Sequence, residues 1–527
     1  MSYSTGVSRS KASIKYIFLL ADQPWQTLVM RDISICITKI RPDLQPVIVT
    51  TDYFTFIHGQ GILRDLENLP GIILETQEDI YWSWQAKQKE HTDELIVFLK
   101  NWEAENCSNR SLDAIEKTNQ WVFGDERSFF YLPLNSYWKK RILIDSIKHT
   151  ERIVSKYSPI FMVSIERSTL LTNLLHTKAT KLSIPFYSFI PSRINHSWLL
   201  RENLGRGISK QMLTDMNSLS TLEISRGREL IEKLTVNKRG IYNSTQHELR
   251  NSYSFRKEKP LWTLLLDLRR LAGRMYDRFV RQRRIYCGRI VRLEQNLVNL
   301  TILEIKKTFL FFAHSIRFVK CGITSPPDCQ YFLWALHARP EGSVLVLGDA
   351  LDEIQVLKDI SAKVPKGKFL VVKENPEMYG MRSRNFYRDL VACNSIILAD
   401  PFSDTWKFLE QCSGVIGMSG TILLEGEFIG KKSLALGKPE FDEVISYRGI
   451  EDLDKFFTNS NVVGVYEPSE KVVRYVAQIL KETTGIDFPT DDQHVSGLNL
   501  EDIVCSEKSK LGIQNFVGRI LGLLATI

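Results

Sequence analysis

The sequence has no CxxC pair, no HExxH, no Walker loop, no GxSxG, and no GxGxxG following a candidate strand. These gaps argue against zinc ribbons, zincin proteases, P-loop NTPases, α/β-hydrolases and the dinucleotide fingerprint. The nine histidines stand apart without ligand spacing, so no metal site is expected. Eight cysteines are scattered with no paired spacing, which in a chain of this size reads as reduced thiols and a cytoplasmic location. Long apolar runs are missing too. The nearest, residues 308–316, falls far short of the ~18 apolar residues that suggest a membrane span. The short apolar run at 17–21 meets Asp22-Gln23-Pro24 at once, so no secretory leader is expected.

The 527 residues are 43% hydrophobic and 25% charged, a globular composition with room for two to four domains. The formal net charge of +8 is unevenly spread. From Arg256 to Lys320 there are 16 Lys/Arg against 5 Asp/Glu, so the rest of the chain is slightly acidic. Apolar and Arg positions alternate in this segment at helical spacing, with Leu264, Leu268, Leu271, Met275 and Phe279 set against Arg270, Arg274, Arg278 and Arg281. One or two long amphipathic helices are predicted. Three uses stay open: an inter-domain helix pair with solvated arginines, docking on an anionic membrane face, or nucleic-acid binding. No recognised nucleic-acid motif accompanies the segment, so no nucleic-acid partner is expected.

Short β-rich apolar runs recur at 343–347, 369–373, 395–399, 414–418, 433–436 and 461–465. Helical spacing fills the gaps at 351–364, 386–393, 403–412 and 422–429. Apolar strands alternating with helices predict a doubly wound parallel sheet. A looser version appears earlier, with strands at 16–20, 47–51, 160–165 and 184–189 and helices at 28–39 and 170–181. Residues 75–135 read as a helical insertion, and 513–524 as an amphipathic tail. The expected organisation is an α/β fold of two Rossmann-like doubly wound domains facing a cleft, with a basic helical insertion between them. The expected spans are an N-terminal α/β domain over 1–250, the basic linker over 251–325, a nucleotide-binding domain over 326–485 and a helical tail over 486–527.

The sharpest local signal is Val415-Ile416-Gly417-Met418-Ser419-Gly420-Thr421, a strand ending in a hydroxyl–glycine–hydroxyl turn that opens a helix. Free N–H groups at such a helix start, with the Ser419 and Thr421 hydroxyls, suit a phosphate, and Gly420 allows close approach. Glu425, one turn on, could accept from ribose hydroxyls. An ordinary N-capped strand–helix turn would have the same sequence. A second strand end, Lys373-Glu374-Asn375-Pro376, offers Lys373, and nearby Arg382, as phosphate partners. A third cluster, Leu336-His337-Ala338-Arg339-Pro340-Glu341, brings His337 and Glu341 toward the same cleft. Asp452-Leu453-Asp454 has the DxD pattern of metal-dependent sugar transferases but sits in a helical stretch, where a solvated face explains it.

LHARPEGSV, KENPEMYGMRSRNFY and MSGTILLEGEFIGKKSLALGKPEF together resemble the capsule polysaccharide biosynthesis family, which is similar to the Kdo transferases of bacterial capsule assembly. The matching patterns are LHxxPE, KEHP and an S/T-GT…E…GKP block. The likeness spans about Tyr331 to Phe441, with weaker echoes around Glu166 and around Ser192-Arg193-Ile194. It implies a GT-B fold with the nucleotide in the C-terminal domain and the acceptor facing the N-terminal one. It also implies a glycosyltransferase of surface polysaccharide assembly, taking a nucleotide-sugar donor as substrate and a lipid-linked or saccharide acceptor, with no separate cofactor. Ser419, Gly420 and Thr421 match the phosphate loop, Glu425 the following acid, and Lys373 and Pro376 the ends of KEHP. The histidine of that pattern is Asn375 here, which can donate a neutral hydrogen bond but carries no charge. For the general base, Asp22, Asp52 and Glu166 end predicted strands, and the resemblance points to Glu166. The implied location is cytoplasmic, peripheral on the inner membrane face. A nucleotide-sugar epimerase and a non-catalytic nucleotide-binding relative are the alternatives.

Overall fold

The computed structural model describes residues 14–21, 24–50, 72–76, 92–107, 111–116, 136–165, 169–192, 194, 198–237, 262, 265, 269, 272, 321–338, 346–348, 352–378, 382–460, 467–483 and 507–525. Two six-stranded sheets with alternating helices organise them. In the first, β1 (Lys15–Ala21), β2 (Leu44–Thr50), β3 (Ile73–Thr76), β4 (Phe161–Ser164), β5 (Phe186–Pro191) and β6 (Trp198–Glu202) lie in the order 3-2-1-4-5-6. All pairings are parallel except β5 with β6. The second contains β7 (Tyr331–Ala335), β8 (Phe369–Lys373), β9 (Ile396–Ala399), β10 (Gly414–Gly417), β11 (Ser433–Ala435) and β12 (Tyr447–Arg448). Its order, β12-β11-β10-β7-β8-β9, is the same plan read from the other edge, and every pairing is parallel. Each sheet thus has the Rossmann-like winding expected from the sequence. The chain steps outward through three strands, then returns to the other side of the first.

The central strands are apolar because helices cover both faces. Ile17, Phe18, Leu19 and Ala21 of β1 are fully buried, as are Phe332, Leu333 and Trp334 of β7. Their alternate side chains feed separate cores: Phe18 and Leu20 point into one cluster, Ile17 and Leu19 into another. The first sheet carries α1 (Pro24–Ile40), whose opening proline suits a first helical position. It also carries α2 (Thr92–Asn106), α3 (Leu112–Glu116), α4 (Ser136–Tyr157) and α5 (Leu170–Leu182). Helix α5 is capped by the Thr169 hydroxyl, which accepts from the Thr172 amide, and ends on Ser183 in left-handed geometry.

The first expected strand of the second unit is displaced. The sheet opens at Tyr331–Ala335 rather than at 343–347. Val346 and Leu347 are buried in a turn, with Val346 packed among first-sheet residues including Phe18, Leu20 and Val47. Val346 is apolar because it meets the other unit, not because it pairs in a sheet; residues 343–345 lie outside the described residues. The 461–465 strand lies outside the described residues, as does the basic segment apart from helical positions 262, 265, 269 and 272. Among the described residues no helix is long and apolar enough to cross a membrane, and the described cysteines are all free thiols.

The two units exchange helices. After β6 the chain passes to α6 (Lys210–Asn217) and α7 (Thr221–Val236), which pack with the second sheet's α13 (Glu470–Glu482). Met212, Met216 and Ile231 share a core with Val472, Val473, Val476 and Ile479. Gly227 makes this possible, since a Cβ there would lie 2.8 Å from the Val473 carbonyl oxygen and 2.9 Å from the Ala477 nitrogen. In return, α14 (Glu507–Leu524) lays Ile513, Phe516, Val517 and Ile520 on α1 and the first sheet. Glu482 joins both crossings: its carboxylate accepts from Arg201 of β6 at 2.6 Å, and its carbonyl accepts from Arg519 of α14.

Candidate functional site

In open α/β sheets, ligands bind outside the carboxyl ends of strands where the winding reverses. In the second sheet that point lies between β7 and β10, which are hydrogen-bonded neighbours reached by chain segments running in opposite directions. His337, two residues beyond β7, and Gly420, three beyond β10, meet there. A Cβ at Gly420 would sit 2.9 Å from His337 Cε1 and 3.4 Å from Nε2, so the ring edge lies against the glycine backbone.

Gly420 is the N-cap of α11 (Thr421–Phe428), with no side chain capping the helix start. Orphan N–H groups therefore face the same point as the His337 ring. Ser419 is fully buried and Glu425 is buried on the helix. Helix α11 is apolar almost all round because it is enclosed, with residues from Ile422 to Phe428 buried. Glu427, near its end, accepts from the Ser433 and Ser446 amides at 3.0 and 2.9 Å, and burial pushes its carboxyl up to about 7. The GKP block makes the adjoining turn: the Gly437 amide donates to the Met418 carbonyl at 2.8 Å and the Lys438 amide to that of Leu347 at 2.7 Å. A Cβ on Gly437 would fall 2.5 Å from the Leu347 oxygen, so only glycine fits this turn.

The end of β8 is built around a buried charge network. Arg382 donates from Nε to Glu374 Oε2 at 2.7 Å, from Nη1 to Glu353 Oε2 at 3.2 Å and from Nη2 to the His337 carbonyl at 2.7 Å. Tyr387, on α9 (Arg384–Val391), donates to the same Glu374 oxygen. Glu353 opens α8 (Glu353–Lys363) and accepts from the His337 amide at 3.3 Å. Burial pushes the Glu374 carboxyl up, partly offset by Arg382; burial pulls Arg382 down, but Glu374 and Glu353 outweigh it and its guanidinium is held charged. Lys373 Nζ donates to the Pro401 carbonyl at 2.8 Å. Asn375 is half-buried, its amide donating to Glu374 Oε1 at 2.8 Å, and Pro376 opens the 3-10 turn Pro376–Met378.

The structure thus gathers His337, Lys373, Asn375, Pro376, Arg382, Ser419, Gly420, Thr421 and Glu425 around the carboxyl ends of β7, β8 and β10. Glu166, Arg193 and Glu341, with Asp22 and Asp52, lie outside the described residues. Sequence reasoning gave no role to Glu353, Glu374 or Tyr387. The available signal was Glu374 itself, an acid directly after a strand that is buried on both faces. Asp452 ends a 3-10 turn and Asp454 is exposed on α12 (Leu453–Asn459), as a solvated helix face predicts. Among the described residues no group of three or more His, Cys, Asp or Glu is placed to hold a metal ion.

No family model matches the chain, and no curated protein matches it. Solved structures resemble it at low identity. A putative UDP-N-acetylglucosamine 2-epimerase from Listeria monocytogenes is 10% identical, with a TM-score of 0.23 over 90% of this chain and 98% of that one. The β-Kdo 2,7 transferase of KpsC from Thermosulfurimonas dismutans is 10% identical, with a TM-score of 0.31 over 65% of this chain and 87% of that one. HepE from Anabaena, solved with UDP and glucose, is 8% identical, with a TM-score of 0.26 over 97% and 100%. Likeness at this level assigns neither a family nor an activity.

Proposed function

We propose that the chain is a glycosyltransferase of bacterial surface polysaccharide assembly that moves a sugar from a nucleotide donor to a lipid-linked or saccharide acceptor. The observation that carries this reading is the uncapped start of α11 at the winding reversal, with the His337 ring against its N-cap glycine. Glycosyl transfer passes through an oxocarbenium-like state while negative charge grows on the departing phosphate. The first amides of α11 and the half-buried Thr421 hydroxyl supply donors to that phosphate without reorganising at the moment of reaction, while Ser419, fully buried, holds the turn behind them. Lys373 adds positive charge nearby, Glu425 accepts from the ribose, and Asn375 contributes a neutral hydrogen bond where KEHP has a histidine. Glu166 is the proposed base for the acceptor hydroxyl.

We place the basic segment from Arg256 to Lys320 on an anionic membrane face. Trp262 and Leu265, in helix, are 63% and 60% exposed, the pairing of apolar and basic groups that interfacial helices use. The deciding experiment for the site is a binding screen with CMP-, UDP- and GDP-compounds, followed by product analysis with and without acceptor. If none binds, the enzyme reading fails at its first step. Turnover to an isomeric nucleotide sugar without acceptor would make the protein an epimerase, and binding without any turnover a non-catalytic relative.

A further inference from the structure

We infer that Arg382 is a positioning residue that acts on the nucleotide phosphate only through His337, and that the His337 imidazole supplies a phosphate contact over the first turn of α11. This rests on the nucleotide-site reading above and assigns two of its residues. Arg382 has its three nitrogens on Glu374, Glu353 and the His337 carbonyl, and its side chain is 4% exposed. Two carboxylates around one guanidinium leave no positive charge for a phosphate to meet. What the guanidinium does control is the backbone of His337. Arg382 holds the carbonyl of that residue and Glu353 its amide, so both sides of the residue are tied to one buried cluster.

The constraint reaches the site because of where the ring lies. The Cε1–Nε2 edge of His337 faces the Gly420 backbone, against the first turn of α11. An imidazole N–H there donates to a phosphoryl oxygen lying over that turn; no covalent bond is made or broken by the ring. Glu374 ties the same cluster to the Asn375 amide, so β7 and β8 present their ends as one rigid piece. A fork with fixed geometry does this and an ammonium does not, which makes arginine rather than lysine the residue required at 382.

The test uses the full chain labelled with ¹³C-histidine and titrated with UDP, CMP and GDP. The imidazole resonance lost in His337→Ala should shift in the wild type on binding whichever nucleotide is accepted. His337→Ala should weaken that binding roughly ten- to a hundredfold, the range of a charge-assisted hydrogen bond. Arg382→Lys should weaken it comparably, and His337→Ala added to Arg382→Lys should cost less than a further twofold, because the two act on one contact. Effects that multiply would mean Arg382 meets the phosphate itself, overturning the inference. So would a wild type that binds nucleotide while the His337 resonance stays put and His337→Ala keeps its affinity. Should Arg382→Lys fail to fold by circular dichroism, the wild-type titration and His337→Ala decide alone. If the wild type binds none of the three nucleotides, the nucleotide-site reading falls first and this inference with it.

Discussion

Replacing Glu427 by Gln should flatten part of the pH dependence of stability in the second unit. Burial holds the Glu427 carboxyl at about 7 against an ordinary 4.5, although it accepts from the Ser433 and Ser446 amides. The folded state therefore binds a proton that the unfolded state has released between those values. The stability linked to that proton is complete below pH ~4.5 and is lost as the pH rises through about 7. At about 1.4 kcal/mol per pH unit, the loss amounts to about 3 kcal/mol by pH 8. Gln keeps an oxygen for the two amides but has no proton to lose, so the variant lacks this slope. His149 titrates with the opposite sign: burial, then Arg152, pull it down to about 4, so it lends stability above 6.5 that is lost as the pH falls. Only the difference between wild type and Glu427→Gln isolates the carboxyl. Hydrogen exchange of the Ser433 and Ser446 amides, followed from pH 5 to 8.5 after correction for intrinsic rates, reads this unit specifically. Parallel curves for the two proteins would refute the reasoning.

Gly227→Leu should lower the thermal midpoint, since the side chain has backbone of α13 within 3 Å of its Cβ; overpacking of this kind costs about 1–3 kcal/mol, and an unchanged midpoint would count against the helix exchange. Phe516→Ala should cost about 3–5 kcal/mol by removing a buried ring whose centroid lies 4.5 Å from that of Phe189, read in urea unfolding of the first unit. Gly420→Ala should weaken nucleotide binding without changing secondary structure by circular dichroism, because the new methyl displaces the His337 ring. Neutralising Arg281, Arg283 and Arg284 should weaken sedimentation with anionic liposomes and leave nucleotide affinity intact; loss of both would mean the segment supports the fold instead.

Strands β8, β9, β10 and β11 are legible because each is an apolar run of three to five residues bounded by polar turns. The pattern favours 343–347 over Tyr331–Ala335 because β-branched residues such as Val346 suit a strand and suit packing on a neighbouring unit equally well. Two-residue β12 carries too little pattern to see. At the site, the Ser419-Gly420-Thr421 turn is local and could be read directly. The partners of Arg382 could not: Glu353 lies 29 residues away, and pairing at that distance is set by the packing of α8 against β8 and leaves no periodic trace.

The helix exchange has a consequence for synthesis. On the ribosome the first sheet emerges hundreds of residues before α14, so the apolar groove that receives Ile513, Phe516 and Ile520 stands open while the second unit is made. Over the same interval α6 and α7 wait for α13, their partner in the later half. Neither half of the gene therefore encodes a self-sufficient product. Nascent chains stalled before α14 should be the species that chaperones hold, and separately expressed halves should become soluble only when produced together.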